Sequence, residues 1–234
     1  MSFIFALKSK TRCLYYQNNL KLHIIHHIST HMNFFFILLI TFTHLLTPSV
    51  SKAQSFKENI EEYRTHYRDK FLNGSKSLLK EEDLKYLRFY EPDSTCRIQA
   101  VIRLTPDAQE FKMPTYSGLE RPYIKYGILS FHFKGKNIEL SVYKNLMLKD
   151  NPAFVDYLFI PFKDATNGND TYGGGRYLEL RLGEFKGDSV VLDFNKCYNP
   201  YCAYSEGFNC PIPPFENHLK VKIEAGEKVF AKSH

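Results

Sequence analysis

Hydrophobic positions change their spacing along this chain. From Ser55 to about Phe71, the residues Phe56, Ile60, Tyr63, Tyr67 and Phe71 recur at helical intervals with Lys, Glu and Arg between them. That spacing predicts an amphipathic helix ended by Asn73-Gly74. A second short helix is expected over Leu78 to Leu84, after which the period falls to two. Ile98, Ala100, Ile102 and Leu104 share one face opposite Arg97, Gln99 and Arg103, the alternation of a half-buried strand. Leu129, Phe131 and Phe133 precede Lys134-Gly135-Lys136-Asn137, and Ile138, Leu140 and Val142 follow it, which predicts a β-hairpin. Further strands are expected near 157–162, 176–182, 188–194 and 219–224. No strand alternates with a long helix. The expected fold is therefore mainly β, an antiparallel sandwich or partly open barrel with one or two N-terminal helices.

Asn195 to Asn217 carries no apolar period and collects Asn199-Pro200, Cys202, Cys210, Pro211, Pro213 and Pro214. A loop this rich in turn residues needs a staple or dense packing, because its backbone has no sheet ladder to use.

The N-terminal segment reads differently. Phe34 to Leu46 is an apolar run, followed by Thr47-Pro48-Ser49-Val50 and then Ser51-Lys52-Ala53. This is the order of a signal peptide: an h-region, a helix breaker and a small-x-small cleavage site. A span of roughly 20 apolar residues is needed to cross a bilayer, so cleavage after Ala53 is preferred to an anchor. Residues 1–53 are thus expected to be removed, with Met32 the better start, leaving 54–234 as a single β-rich domain exported to periplasm or medium. Contact with a membrane is expected only through an uncleaved signal segment. No Cys directly follows the run, so lipid attachment there is not expected.

Composition then changes one point. The chain has 31 basic and 25 acidic residues, but residues 1–53 hold five of the bases and none of the acids. From Gln54 on, 26 bases face 25 acids. A near-neutral body gives no electrostatic footprint for nucleic acid. No metal set or cofactor motif is present: Thr171-Tyr172-Gly173-Gly174-Gly175-Arg176 leads into a strand and lacks the ending of a phosphate loop.

YGGGRYLEL (172–180), LDFNKCYNPYCAY (192–204), CPIPPFEN (210–217) and EAGEK (224–228) occur in an order that resembles an uncharacterised bacterial family of unknown function, DUF1684. The resemblance extends over about residues 60–230. It implies a bacterial source and one compact domain, and it brings no activity. Cys197 stands where the family more often has a small residue, Cys96 where it has an aromatic, and His218 where it has Arg. Cys202 and Cys210 both match the family motif while Cys96 and Cys197 both depart from it. The resemblance therefore implies two bridges, Cys202 to Cys210 and Cys96 to Cys197, in the oxidising compartment that export reaches.

Two function classes follow. As a binding module, the domain would hold a small polar or sugar-like ligand among Tyr172, Arg176, Asp193, Asn195 and Tyr198, with Arg176 as a planar donor fork. As a hydrolase, it would use Asp193, with Asp164, as base and acid. No nucleophile, triad or metal set is recognisable, so binding or structural service in the envelope is preferred. The competing reading of Asp193 and Asn195 is that they hydrogen-bond the Pro-rich loop and hold it down.

Overall fold

The computed structural model describes residues 54–73 and 78–232; the expected signal segment lies outside them. Helix α1 spans 54–73. The expected second helix is a 3-10 turn, Glu81–Tyr86. Seven strands follow: β1 Arg97–Leu104, β2 Glu110–Pro114, β3 Glu120–Phe133, β4 Lys136–Asn145, β5 Tyr157–Phe162, β6 Arg176–Arg181 and β7 Ser189–Asp193. They form one antiparallel sheet in the order β6-β5-β4-β3-β1-β7, with β2 also paired to β3. The sheet curls into a half-barrel. This is the partly open barrel of the sequence reading, not a sandwich.

The hairpin forms where the alternation placed it. Lys134 and Gly135 have φ of 47° and 77°, the primed turn that matches strand twist, and Leu129 faces Leu140 while Phe131 faces Ile138. Period two then sorts the sheet into two faces. Ala100, Leu129, Leu140, Leu158, Ile160, Leu178 and Leu192 enter the main core, whereas Met113, Tyr123, Tyr143, Phe159 and Tyr177 gather on the other face. Leu104, expected inside, is exposed at the end of β1.

The segment 219–224 is not a strand. Its alternation is real, because Val221 and Ile223 are buried, but its backbone is held by scattered partners. Leu219 N–H donates to Lys163 O, Val221 O accepts from Ala165 N–H, and Ile223 N–H donates to the Asp164 carboxylate. The loop after β7 is fixed in the same way. Asn217, fully buried, accepts from Ser141 N–H and donates to Ser141 O and Pro161 O, so one amide links β4 to β5.

Of the two expected disulfides, Cys202 to Cys210 is present with Cα atoms 6.3 Å apart. The Cys96 to Cys197 bridge is not formed, and both thiols are free and buried. Each has turned to an oxygen instead: Cys96 Sγ lies 3.7 Å from Asp93 Oδ2 and Cys197 Sγ 3.4 Å from Ala225 O. Burial pushes the Cys96 thiol up to about 12 and the Cys197 thiol to about 11. Neither is an activated nucleophile.

A candidate ligand cleft lined by aromatic residues

The residues expected to converge on one pocket are separated by the fold. Arg176 begins β6 and is fully buried. Its Nη2 donates to Asp164 Oδ2 at 3.0 Å and to Ile223 O at 2.8 Å, and its Nη1 to Ala225 O at 2.6 Å and Glu227 O at 3.2 Å. The donor fork is therefore turned inward, onto the C-terminal segment. Asp164 is equally occupied, its Oδ1 accepting from Thr166 and its Oδ2 from Arg176 and Ile223. Asn195 is buried and exchanges hydrogen bonds with both Asp93 N–H and Asp93 O, while Asp193 Oδ1 accepts from the Asn195 N–H and amide. These two residues clamp the chain before β1 to the end of β7, in line with the holding-down reading, though the partner is residue 93 and not the Pro-rich loop. Tyr172 lies in the bend before β6, where its carbonyl accepts from Asn167 and Gly175. Gly175 has φ of 98°, and a Cβ there would lie 2.7 Å from Phe162 O, so this bend requires glycine.

Of the five, Tyr198 lines the aromatic cleft. A cavity of about 530 Å³ lies between α1, one face of the sheet and the disulfide loop. Its walls follow from spacing. On α1, Tyr63, Tyr67 and Phe71 recur every four residues and project from one side. On β5 and β6, Tyr157, Phe159, Tyr177 and Glu179 occupy alternate positions, opposite Leu158, Leu178 and Leu180, and Phe159 is the cross-strand neighbour of Glu179. Tyr177 and Tyr198 exchange backbone hydrogen bonds, which brings the loop against the β6 edge. Tyr201, Phe208 and Cys210 close the side. The rings touch in series, with centroids 5.9 Å apart for Tyr123 and Phe159, 4.8 Å for Phe159 and Tyr177, 5.9 Å for Tyr177 and Tyr198, and 6.1 Å for Tyr198 and Tyr67.

Glu179 is the carboxylate of this cleft. Tyr157 Oη donates to its Oε1 at 2.9 Å, and Tyr198 Oη donates to the same oxygen. Burial, with the neighbouring Glu179 charge adding to it, holds both phenols well above their ordinary range, so both remain donors. Behind the wall, Tyr67 Oη also donates to the fully buried Glu227, which further accepts from Tyr204 Oη and Asn199 N–H.

A second hollow of about 780 Å³ opens among Arg103 to Gln109, Lys125 and Glu216. Two of its four charged groups satisfy each other, since Lys125 pairs with Glu216 at 3.0 Å and Tyr143 donates to that same carboxylate; Arg103 and Asp107 also line it. Among the described residues no group of His, Cys, Asp and Glu is arranged to hold a metal ion.

The sequence reading passed over Glu179 although it stands inside YGGGRYLEL. Its signal was a lone acid on the same strand face as Tyr177, between two core leucines.

A curled β half-barrel carrying an aromatic cleft against one helix is the class of domain this geometry defines. The chain belongs to a family of proteins of unknown function, DUF1684, whose model matches residues 82–228. It is similar to an uncharacterised protein of Haloarcula marismortui solved by solution NMR, with 28% identity, 74% of this chain and 97% of that one covered, and a TM-score of 0.55. No curated protein matches the chain.

Proposed function

We propose that this domain binds a small organic ligand in the aromatic cleft, and that it does so after export. The observation that carries the binding reading is the combination of an open cavity of about 530 Å³, aromatic rings on three sides and one exposed carboxylate on its lining. Pockets of this size lined by aromatic side chains with few convergent polar groups are the usual form of small-molecule sites. Export is supported by the apolar run Phe34 to Leu46 and by the Cys202 to Cys210 disulfide in the wall of the cleft. The hydrolytic alternative has no comparable support, because the oxygens of Asp164 are taken up by Arg176, Thr166 and Ile223 and Asp193 caps its own turn.

A protein-observed NMR screen with amines, sugars and aromatic acids tests the reading. Shift changes confined to residues such as Tyr177, Glu179 and Tyr198 are expected. Binding confined to the second hollow, or no binding by any compound class, would refute it.

A further inference from the structure

We infer that the aromatic cleft selects an organic cation, an alkylammonium head seated against Glu179 and enclosed by the surrounding tyrosine rings. This rests on the reading of the cleft as the ligand site and goes on to name the chemistry of the ligand.

Of the seven tyrosines on the lining, Tyr63, Tyr67, Tyr157, Tyr177 and Tyr198 each give their O–H to a protein acceptor, Lys196 O, Glu227, Glu179, Pro211 O and Glu179 respectively, whereas Tyr123 accepts from Asn145 and its O–H and that of Tyr201 are not so committed among the described residues. Next to Glu179, the Tyr157 and Tyr198 side chains therefore still present ring face and oxygen lone pair, while the donors of the lining are Tyr123, Tyr201, Asn209 and Lys70. An ammonium group needs acceptors and negative potential only, which ring faces and a carboxylate supply together.

Charge points the same way. Glu179 Oε1 takes both phenolic donors, while Oε2 takes no hydrogen bond from the described residues. No Lys or Arg is paired with Glu179 among the described residues: the nearest basic residue in sequence, Arg181, is paired with Asp156 at 2.7 Å. Glu179 is an exposed carboxylate at the edge of the aromatic cleft, without a counter-ion among the described residues, and a cation held against the rings would supply one. Lys70 is the single basic residue on the lining; like Glu179 it is exposed, and the two are not paired. An anionic ligand would instead meet Glu179 and the negative faces of the rings.

The test is an isothermal titration of the full chain with choline, with its neutral carbon isostere 3,3-dimethylbutan-1-ol, and with methyl glucoside, each followed in parallel by NMR. Choline is expected to bind about tenfold more tightly than the isostere, which is about 1.4 kcal/mol. Glu179→Gln keeps an acceptor for the two phenols and removes the charge, so it should erase that preference and leave the isostere's affinity unchanged. Equal binding of choline and the isostere, or binding of the glucoside alone, would overturn the cation inference and leave the cleft as a ligand site. Absence of cleft shifts with all three probes would overturn the cation inference, and the broader NMR screen then decides whether the site reading falls with it. The wild-type comparison of choline with its isostere holds whether or not the variant folds.

Discussion

A guanidinium taken out of water needs a counter-charge and acceptors around it, and Arg176, fully buried in the core, has both. Asp164 supplies the counter-charge and the carbonyls of Ile223, Ala225 and Glu227 supply further acceptors, while Nε alone lacks a hydrogen bond. The Phe162 ring lies 5.4 Å from the guanidinium. Arg176→Met would leave the buried Asp164 carboxyl without its counter-ion and would take the guanidinium donor from three carbonyls. The expected loss is about 3–5 kcal/mol, measured by urea unfolding. A loss below about 1 kcal/mol would show that the pair is dispensable. Why the sequence suggested a ligand fork is plain at this scale. An arginine after three glycines at a strand start looks exposed, and its acceptors are backbone carbonyls some fifty residues later that have no side-chain signature. Tyr198 was legible because it stands beside the turn residues that bring the loop to β6; Glu179 was hidden in a motif read for its arginine.

At the scale of elements, α1 and the β3–β4 hairpin were legible because local periodicity and local turn chemistry agree there. The segment 219–224 has the alternation of a strand without a neighbouring strand to pair with, so its backbone takes side-chain and single-carbonyl partners. The five-residue β2, with Met113 its one buried residue, offers too short a pattern to read. The loop with the Cys202 to Cys210 bridge is the element on which the cleft depends, since Tyr201, Phe208 and Cys210 form one of its walls. Closing so short a loop contributes roughly 2–3 kcal/mol in the chain-entropy picture. The Cys202→Ser, Cys210→Ser variant should lose about that much stability and should bind cleft ligands more weakly, because the wall is no longer tied. Intact mass after denaturing alkylation of exported protein gives an independent check. It should show a chain beginning at Gln54 with two modified thiols, Cys96 and Cys197. Four modified thiols, or a retained 34–53 segment, would contradict the disulfide or the processing respectively.

Within the β-rich domain, the elements converge on Glu227. This fully buried carboxyl receives Tyr67 from α1, and Tyr204 and Asn199 from the loop, while its own carbonyl accepts from Arg176 at the start of β6. Helix, loop, sheet and C-terminal segment therefore meet at one titratable group. Burial raises its pKa from 4.5 to about 7, against the opposing pull of its hydrogen-bond donors. Between those two values the folded state holds a proton that the unfolded chain has released, so stability falls as pH rises through this window and levels off above about 7. The full effect is on the order of 3 kcal/mol. Asp83, Asp93, Glu216 and Glu224 are shifted the other way, chiefly by their hydrogen bonds and ion pairs. Their contributions are lost on acidification below the window, so their slope has the opposite sign and lies elsewhere. Urea unfolding from pH 5 to 8 should thus show a stability decline of roughly 2–3 kcal/mol in the wild type. Glu227→Gln should be level over the same range, because an amide has no proton to release and the phenols can turn to accept from it. A wild-type curve that rises with pH, or a Gln variant that keeps the decline, would place the controlling titration elsewhere. Because Tyr67 joins Glu227 to the cleft wall, the same ionisation should tighten its hydrogen bond to Tyr67 and so carry the pH dependence of the fold into the ligand site.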